Sequence, residues 1–285
     1  MDCGFAGAAS PVPEVERLVA WLADRSQVAV ITGAGVSTGS GIPDYRDGDG
    51  NWKRSPPVQY RDFVESVRVR RRYWARSFAG WPMFAAAQPS AAHVALARLE
   101  RTGHVVELVT QNVDRLHQRA GSRNVIDLHG RLDVVRCLAN GHRFDREAFQ
   151  GRLHAENRDW DASAARIAPD GDADLEGIDF DAFAVPACEV CGGVLKPDVV
   201  FYGESVPREV SAAALAAVES ADGVLVAGSS LMVWSSFRLV RAAVQHGVPV
   251  VAVNCGRTRA DDLFAFKLDG ECGAVLVATL ERLSG

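Results

Sequence analysis

The chain has 285 residues, 48% of them hydrophobic, and its 31 basic and 36 acidic side chains leave a formal net charge of −5. That length buries a large core and suits one large domain carrying a smaller insertion. The charge gives no reason to expect nucleic acid or a membrane surface as a partner, and no apolar run reaches the length of a membrane span.

Met1 to Pro13 has no basic leader region, so a cytoplasmic chain, working as a monomer, is expected. Glu14 to Ala23 carries the spacing of an amphipathic first helix. It feeds Val28-Ala29-Val30-Ile31, which reads as a buried parallel strand. The strand runs into Gly33-Ala34-Gly35-Val36-Ser37-Thr38-Gly39-Ser40-Gly41-Ile42-Pro43-Asp44-Tyr45-Arg46. Glycines there let backbone N–H groups approach a pyrophosphate at the mouth of the next helix, which indicates a dinucleotide. An ordinary dehydrogenase would follow with G-x-G-x-x-G and a ribose-binding acid. Here Pro43 stops any helix instead, so the chain must fold back over whatever the glycines hold.

Tyr60 to Arg101 is helical in character, with breaks expected at Gly80 and Pro82, and reads as an inserted module. Val105–Val109 and Val125–Leu128 are expected strands; Thr110-Gln111-Asn112-Val113-Asp114 follows the first, and His129-Gly130 the second. Val224–Ala227 and Val248–Val253 return to the sheet and leave Gly228-Ser229-Ser230 and Asn254-Cys255-Gly256 at strand ends. Ligands of doubly wound sheets sit at the carboxyl ends of strands, so these polar residues converge on one crevice. Ordinary turn chemistry is the plain alternative for the small ones.

The expected fold is therefore α/β: a Rossmann-like doubly wound parallel sheet with a smaller insertion domain, comprising a zinc-ribbon-like segment plus the helical module. Residues 1–135 and 197–285 are assigned to the large domain, with the module at about 60–101, and 136–196 to the insertion.

Within that insertion, Cys188-Glu189-Val190-Cys191-Gly192-Gly193 is a zinc-knuckle setting. Its counterpart, Cys137-Leu138-Ala139-Asn140-Gly141-His142, offers one thiolate; Asn140 is a poor ligand, and His142 or water is left to complete a tetrahedron with Cys137, Cys188 and Cys191. The alternative is a metal-free remnant. Cys3, Cys255 and Cys272 have no partner pattern and are expected reduced. Asp170-Gly171-Asp172 begins like a calcium loop but continues wrongly, and Arg68 to Arg72 reads as a solvated helix face.

The ordered set GAGVS, GIPDYR, TQNVDRLH, LHG, LKPDVVFYGE (Leu195 to Glu204) and GSS resembles the sirtuin family of NAD-dependent protein deacylases, from roughly Val28 to Cys272. Arg72-Tyr73-Trp74-Ala75-Arg76, Gly80-Trp81-Pro82, Ala168-Pro169-Asp170 and Gly256-Arg257-Thr258-Arg259 resemble the class II branch, whose loop would place Asp170 near the active site. The resemblance implies transfer of an acyl group from protein lysine to ADP-ribose with release of nicotinamide. It makes NAD the co-substrate and acyl-lysine proteins the partners, with a structural zinc. Asn112 and Asp114 would line the nicotinamide pocket with Ile42 and Asp44, and Gln111 would face the ribose. His129 would be the general base, and Tyr45 and Arg46 would position the cofactor. Gly33, Ala34, Gly35, Thr38, Pro43, Gly228, Ser229, Ser230, Asn254, Cys255, Gly256 and Cys272 complete the implied cofactor set.

The segment Val199-Val200-Phe201 would pair with substrate backbone by strand addition, although a core strand explains it equally. Tyr73 and Arg76, one helical step apart, resemble a pair that binds the carboxylate of an acidic acyl chain, so a preference for glutaryl-type groups over acetyl is expected. The plain alternative packs Tyr73 in the module and leaves Arg76 on a basic face. Three other activities compete: protein mono-ADP-ribosylation, a non-catalytic NAD or ADP-ribose binding module, and an oxidoreductase. The binding module would have no use for Asn112, Asp114 and His129 together, and the oxidoreductase lacks its ribose-binding acid.

Overall fold

The computed structural model describes residues 12–53, 57–160, 166–167, 173–174 and 180–284. Helix α1 (Val12–Ala23) precedes β1 (Val28–Thr32), after which the chain turns through two short 3₁₀ segments, Ala34–Val36 and Thr38–Ser40. Helices α2 (Tyr60–Glu65), α3 (Val67–Ala86) and α4 (Ala91–Arg101) lead to β2 (Val105–Thr110), the single turn α5 (Leu116–Arg119) and β3 (Val125–Asp127). Strands β4 (Gly130–Cys137) and β5 (Arg143–Asp145), helix α6 (Arg146–Glu156), the two-residue strands β6 (Arg166–Ile167) and β7 (Ala173–Asp174), and β8 (Leu195–Val199) follow. The chain closes through α7 (Arg208–Glu219), β9 (Gly223–Ala227), α8 (Trp234–Gln245), β10 (Val250–Asn254), β11 (Phe266–Asp269) and α9 (Cys272–Ser284).

Six parallel strands form the main sheet in the order β3-β2-β1-β9-β10-β11, the doubly wound arrangement. Strands β1, β9 and β10 are buried along their whole length, which is why they read as unbroken apolar runs. One face packs Val15, Leu18, Leu96 and Leu276 from α1, α4 and α9; the other packs Val218, Leu239 and Val240 from α7 and α8. Each such side chain contributes about 1.5–3 kcal/mol of burial. The order reverses between β1 and β9, and there Gly35 N–H donates to Gly228 O at 2.9 Å. A Cβ on Gly35 would sit 2.8 Å from that carbonyl, so no larger residue fits without moving a strand end.

The antiparallel sheet β5-β4-β8 belongs to a second lobe. Its core joins Phe63, Tyr73, Trp74 and Phe78 of the helical module to Val135, Phe149, Leu153, Phe183 and the sulfurs of Cys137 and Cys188. Module and insertion thus share one hydrophobic core, and β4 and β8 run across residues 135 and 197, where sequence divided the chain.

Helix α3 does not break at Gly80 or Pro82. Proline removes the donor that would serve Phe78 O; Gln150 Nε2 from α6 donates to that carbonyl at 2.9 Å instead. The helical region breaks on either side, at Ser66, whose side chain accepts from Val69 N–H, and before the capping box of Ser90 and His93. Nor does a long helix follow β1, because Gly41 turns left-handed at φ 81° ahead of Pro43. Cys255, expected as a free thiol, is disulfide-bonded, a pairing that no spacing rule announces. The acidic segment Asp170-Gly171-Asp172 and Cys3 lie outside the described residues.

Candidate active site

A cavity of about 1360 Å³ runs along the carboxyl ends of β1, β9 and β10 and continues between them and the second lobe. Gly33, Ala34, Gly35, Thr38, Ile42, Asp44, Tyr45 and Arg46 line it from the loop after β1; Gln111, Asn112, Asp114 and His129 line it from the ends of β2 and β3. Gly228, Ser229, Ser230, Asn254, Cys255, Gly256 and Cys272 form its far wall, and Tyr73, Val199, Val200 and Phe201 its near one. Pro43 and Arg76 are not on the wall. Of the Tyr73–Arg76 pair only Tyr73, packed among Phe63, Trp74 and Phe201, lines the cavity; Arg76 is half-buried one helical step further along α3.

His129 is held from both ring nitrogens. Nδ1 lies 3.2 Å from Gln111 O, and because a carbonyl only accepts, Nδ1 carries the proton. Nε2 is then the basic nitrogen, and the Ser235 hydroxyl donates to it at 2.7 Å. Burial pulls the imidazole down to about 4, against the Gln111 bond that supports the charged form, so the ring is neutral at ordinary pH.

Ser37 organises the neighbouring polar groups. Its hydroxyl donates to Asp114 Oδ2 at 2.7 Å and accepts from Asn112 Nδ2 at 2.9 Å, while Asn112 also donates to Gly33 O at 3.0 Å. Asp114 Oδ1 takes Leu116 N–H at 2.9 Å. Behind them lie two buried histidines with rings 4.6 Å apart. His93 faces Ser37 and is pulled to about 4 by burial, opposed by Asp114. His117 bonds Thr32 and is held well below its usual range by burial and then by His93. Gln111 Nε2 reaches Ser229 Oγ at 2.7 Å and joins the two halves of the crevice.

At the loop, Lys53 pairs with Asp44, and the Arg46 guanidinium lies 3.9 Å from the Trp52 ring and bonds Gly50 O at 2.7 Å. Lys196, buried, meets Glu204 at 3.0 Å, and Glu204 also accepts from Phe201 N–H at 2.9 Å, fixing the turn after β8. Among the described residues only Arg115 and Leu231 adopt positive φ without being glycine, and both adjoin residues of this wall, Asp114 and Ser230.

Sequence reasoning singled out neither Ser37 nor Ser235, Lys53, Glu204 or Trp234. Ser37 and Glu204 lay inside quoted motifs and were readable as polar groups at a strand end; Ser235 has no sequence signal.

Away from the cavity, Cys137, His142, Cys188 and Cys191 bring all four ligand atoms within 4.8 Å of one another. Cys137 Sγ lies 3.5 Å from Cys191 Sγ, and Cys188 Sγ 3.4 Å from His142 Nδ1, close to the edges of a zinc tetrahedron. A side-chain hydrogen bond with Asn140 is the first cause that brings the Cys191 thiol down to about 6, favouring the thiolate, and His142 Nδ1 is the remaining potential ligand atom of the cluster. These residues fit a structural zinc.

A family model described as the Sir2 family matches residues 33–235. The chain is 57% identical over 260 residues to "NAD-dependent protein deacetylase 2" of Bradyrhizobium diazoefficiens, covering 91% of this chain and 95% of that one. It is 48% identical over 266 residues to "NAD-dependent protein deacylase Sirt4" of Drosophila melanogaster, covering 92% and 85%. A solved structure described as "Sir2-p53 peptide-NAD+" superposes with a TM-score of 0.75 at 29% identity, covering 94% of this chain and 98% of that one.

Proposed function

Because the chain belongs to the Sir2 family, we propose that its cavity removes acyl groups from protein lysines with NAD as co-substrate. The observation that carries this reading is His129: a neutral imidazole whose basic nitrogen faces the cavity between a glycine loop and a strand edge. The fit to a dinucleotide rests on Gly33-Ala34-Gly35 and Gly228, which present bare backbone to the cavity, and on a volume large enough for NAD and an acyl-lysine together. When bound, NAD supplies the ribose carbon that loses nicotinamide and receives the acyl oxygen.

The residues around that carbon then have separate tasks. Asn112 and Asp114, locked by Ser37, hold the nicotinamide end with Ile42 and Asp44, while Gln111 orients the ribose. His129 Nε2 takes the proton of a ribose hydroxyl, in the place where it now accepts from Ser235. Tyr45 and Arg46 cover the cofactor. Val199, the last residue of the edge strand β8, and Val200 and Phe201 beyond it on the cavity wall are where the target backbone pairs. The acyl end is walled by Ile42, Val113, Leu132, Tyr73 and Phe201 without the Arg76 guanidinium, which supports uncharged acyl groups over the glutaryl type.

In the same reading, residues 1–135 and 197–285 bind the dinucleotide and 136–196 form the zinc-bearing insertion. The cavity is completed within one chain, which supports a monomer, and NAD chemistry suits a cytoplasmic location. Among the described residues no helix is long and apolar enough to cross a membrane.

The test is purified protein with NAD and acetyl-, succinyl- and glutaryl-lysine peptides, with products identified by mass spectrometry. Nicotinamide and acylated ADP-ribose are expected, with acetyl-lysine the best of the three. ADP-ribosylated protein without loss of the acyl group would establish transferase activity instead.

A further inference from the structure

One side of the cavity mouth is aromatic and basic. Trp234, Arg238 and Arg241 stand at i, i+4 and i+7 of α8 and so share a face of the helix. Trp234 lines the cavity while remaining 51% exposed, and the next residue, Ser235, touches His129. The Arg241 and Arg259 guanidiniums lie 5.7 and 5.4 Å from the Trp234 ring, and that of Arg259 also lies 4.6 Å from Phe237. Arg238 lines the cavity, bonds Ser211 of α7, and keeps a buried Nε with no hydrogen-bond partner. Among the described residues none of these three arginines forms an ion pair, in a chain whose net charge is negative. Among the carboxylates that line the cavity, Glu204 is already taken by Lys196 and Phe201 N–H, Asp44 by Lys53, and Asp114 by Ser37 and Leu116 N–H.

Strand β8, an edge strand, leads into Val199–Phe201 on the wall across the same cavity. A segment laid along that edge with its acyl-lysine at His129 carries its flanking side chains past Trp234.

We propose that this rim selects target lysines flanked by aspartate or glutamate, received by Arg238, Arg241 and Arg259. The inference rests on the deacylase reading and adds the class of target sequence. Arg241 and Arg259, held over aromatic rings, have already lost much of their rotamer freedom; Arg259 spends one N–H on Met232 O at 3.1 Å, and a guanidinium has further N–H groups for a carboxylate. Three unpaired positive charges also repel targets with basic flanks, so selection comes from both signs.

The experiment uses acetyl-lysine peptides identical except for acidic, neutral or basic residues within three positions of the lysine. kcat/KM is measured at low and high salt for the wild type, Arg241→Ala and Arg241→Glu. The expected wild-type order is acidic over neutral over basic, with about fivefold for the first step, shrinking as salt rises. Arg241→Ala should narrow the range, and Arg241→Glu should flatten or invert it, with neutral-peptide turnover and the KM for NAD unchanged because this side chain lies off the cavity wall. Equal turnover of all three peptides by the wild type, or an unchanged ranking in Arg241→Glu, overturns this inference alone. Failure of the neutral peptide to react at all overturns the deacylase reading and this inference with it.

Discussion

At the scale of single residues the site depends on histidines kept neutral by burial. His129→Ala is expected to lower deacylation by on the order of a hundredfold or more with the fold intact, since a general base contributes that much. Near-wild-type turnover by the purified variant would remove His129 from the chemistry. Ser37→Ala is expected to leave Asp114 without its shortest bond and to raise the KM for NAD roughly tenfold, as loss of a hydrogen bond to a charged group costs about 1.5–3 kcal/mol. The buried histidines also set a pH dependence. His93 and His129 titrate near 4 when folded, below the ordinary 6.5, so between those values the unfolded chain binds protons that the folded chain refuses. Stability therefore falls as pH drops below about 6.5, by about 2 kcal/mol per histidine between pH 7 and 5. Urea midpoints across that range check the sign, and His93→Gln should flatten the slope.

Among the elements, α3 shows why a proline rule read from sequence went astray. Pro82 was expected to break the helix, and locally it does remove a donor; the rescue comes from Gln150, 68 positions away by number (150 − 82), which sequence spacing does not reveal. Gln150→Ala is expected to destabilise the protein by about 1–3 kcal/mol by orphaning Phe78 O. In a Pro82→Ala background, where the new N–H serves that carbonyl, the same change should cost less, and a double-mutant cycle on thermal midpoints measures the difference. The strands were legible for the opposite reason. VAVIT, GVLVA and VVAVN are buried on both faces, so no alternation or distant partner was needed to recognise them. The crevice was legible because its residues sit at strand ends; that Arg76 is off its wall was not legible, because a helical step says which side a residue shares, not which cavity it reaches.

For the whole molecule, the cysteine cluster governs the second lobe. Cys137 and Cys188 are buried in the core that also holds Tyr73, Trp74 and Phe78, so a metal there fixes the wall facing the sheet as well as the insertion. Metal analysis is expected to find one zinc per chain in unchelated protein. Chelation, or Cys188→Ser, should loosen the second lobe and abolish turnover while NAD titration still reports binding at the main sheet. Protein that contains no zinc and retains full activity would show the lobe held by packing alone.

The bond between Gly35 and Gly228 spans 193 positions (228 − 35) and joins the first strand of the sheet to one made late in synthesis. A nascent chain that has not reached Val224 carries the complete glycine loop without the carbonyl that shapes it. The dinucleotide site thus forms only when both wings of the sheet have met, among the slower events in folding because its contacts are so distant in sequence. A ligand that recognises only the finished crevice shifts the balance of the whole sheet by mass action. NAD should accordingly raise the midpoint of global unfolding, and protein truncated before β9 should gain nothing from it.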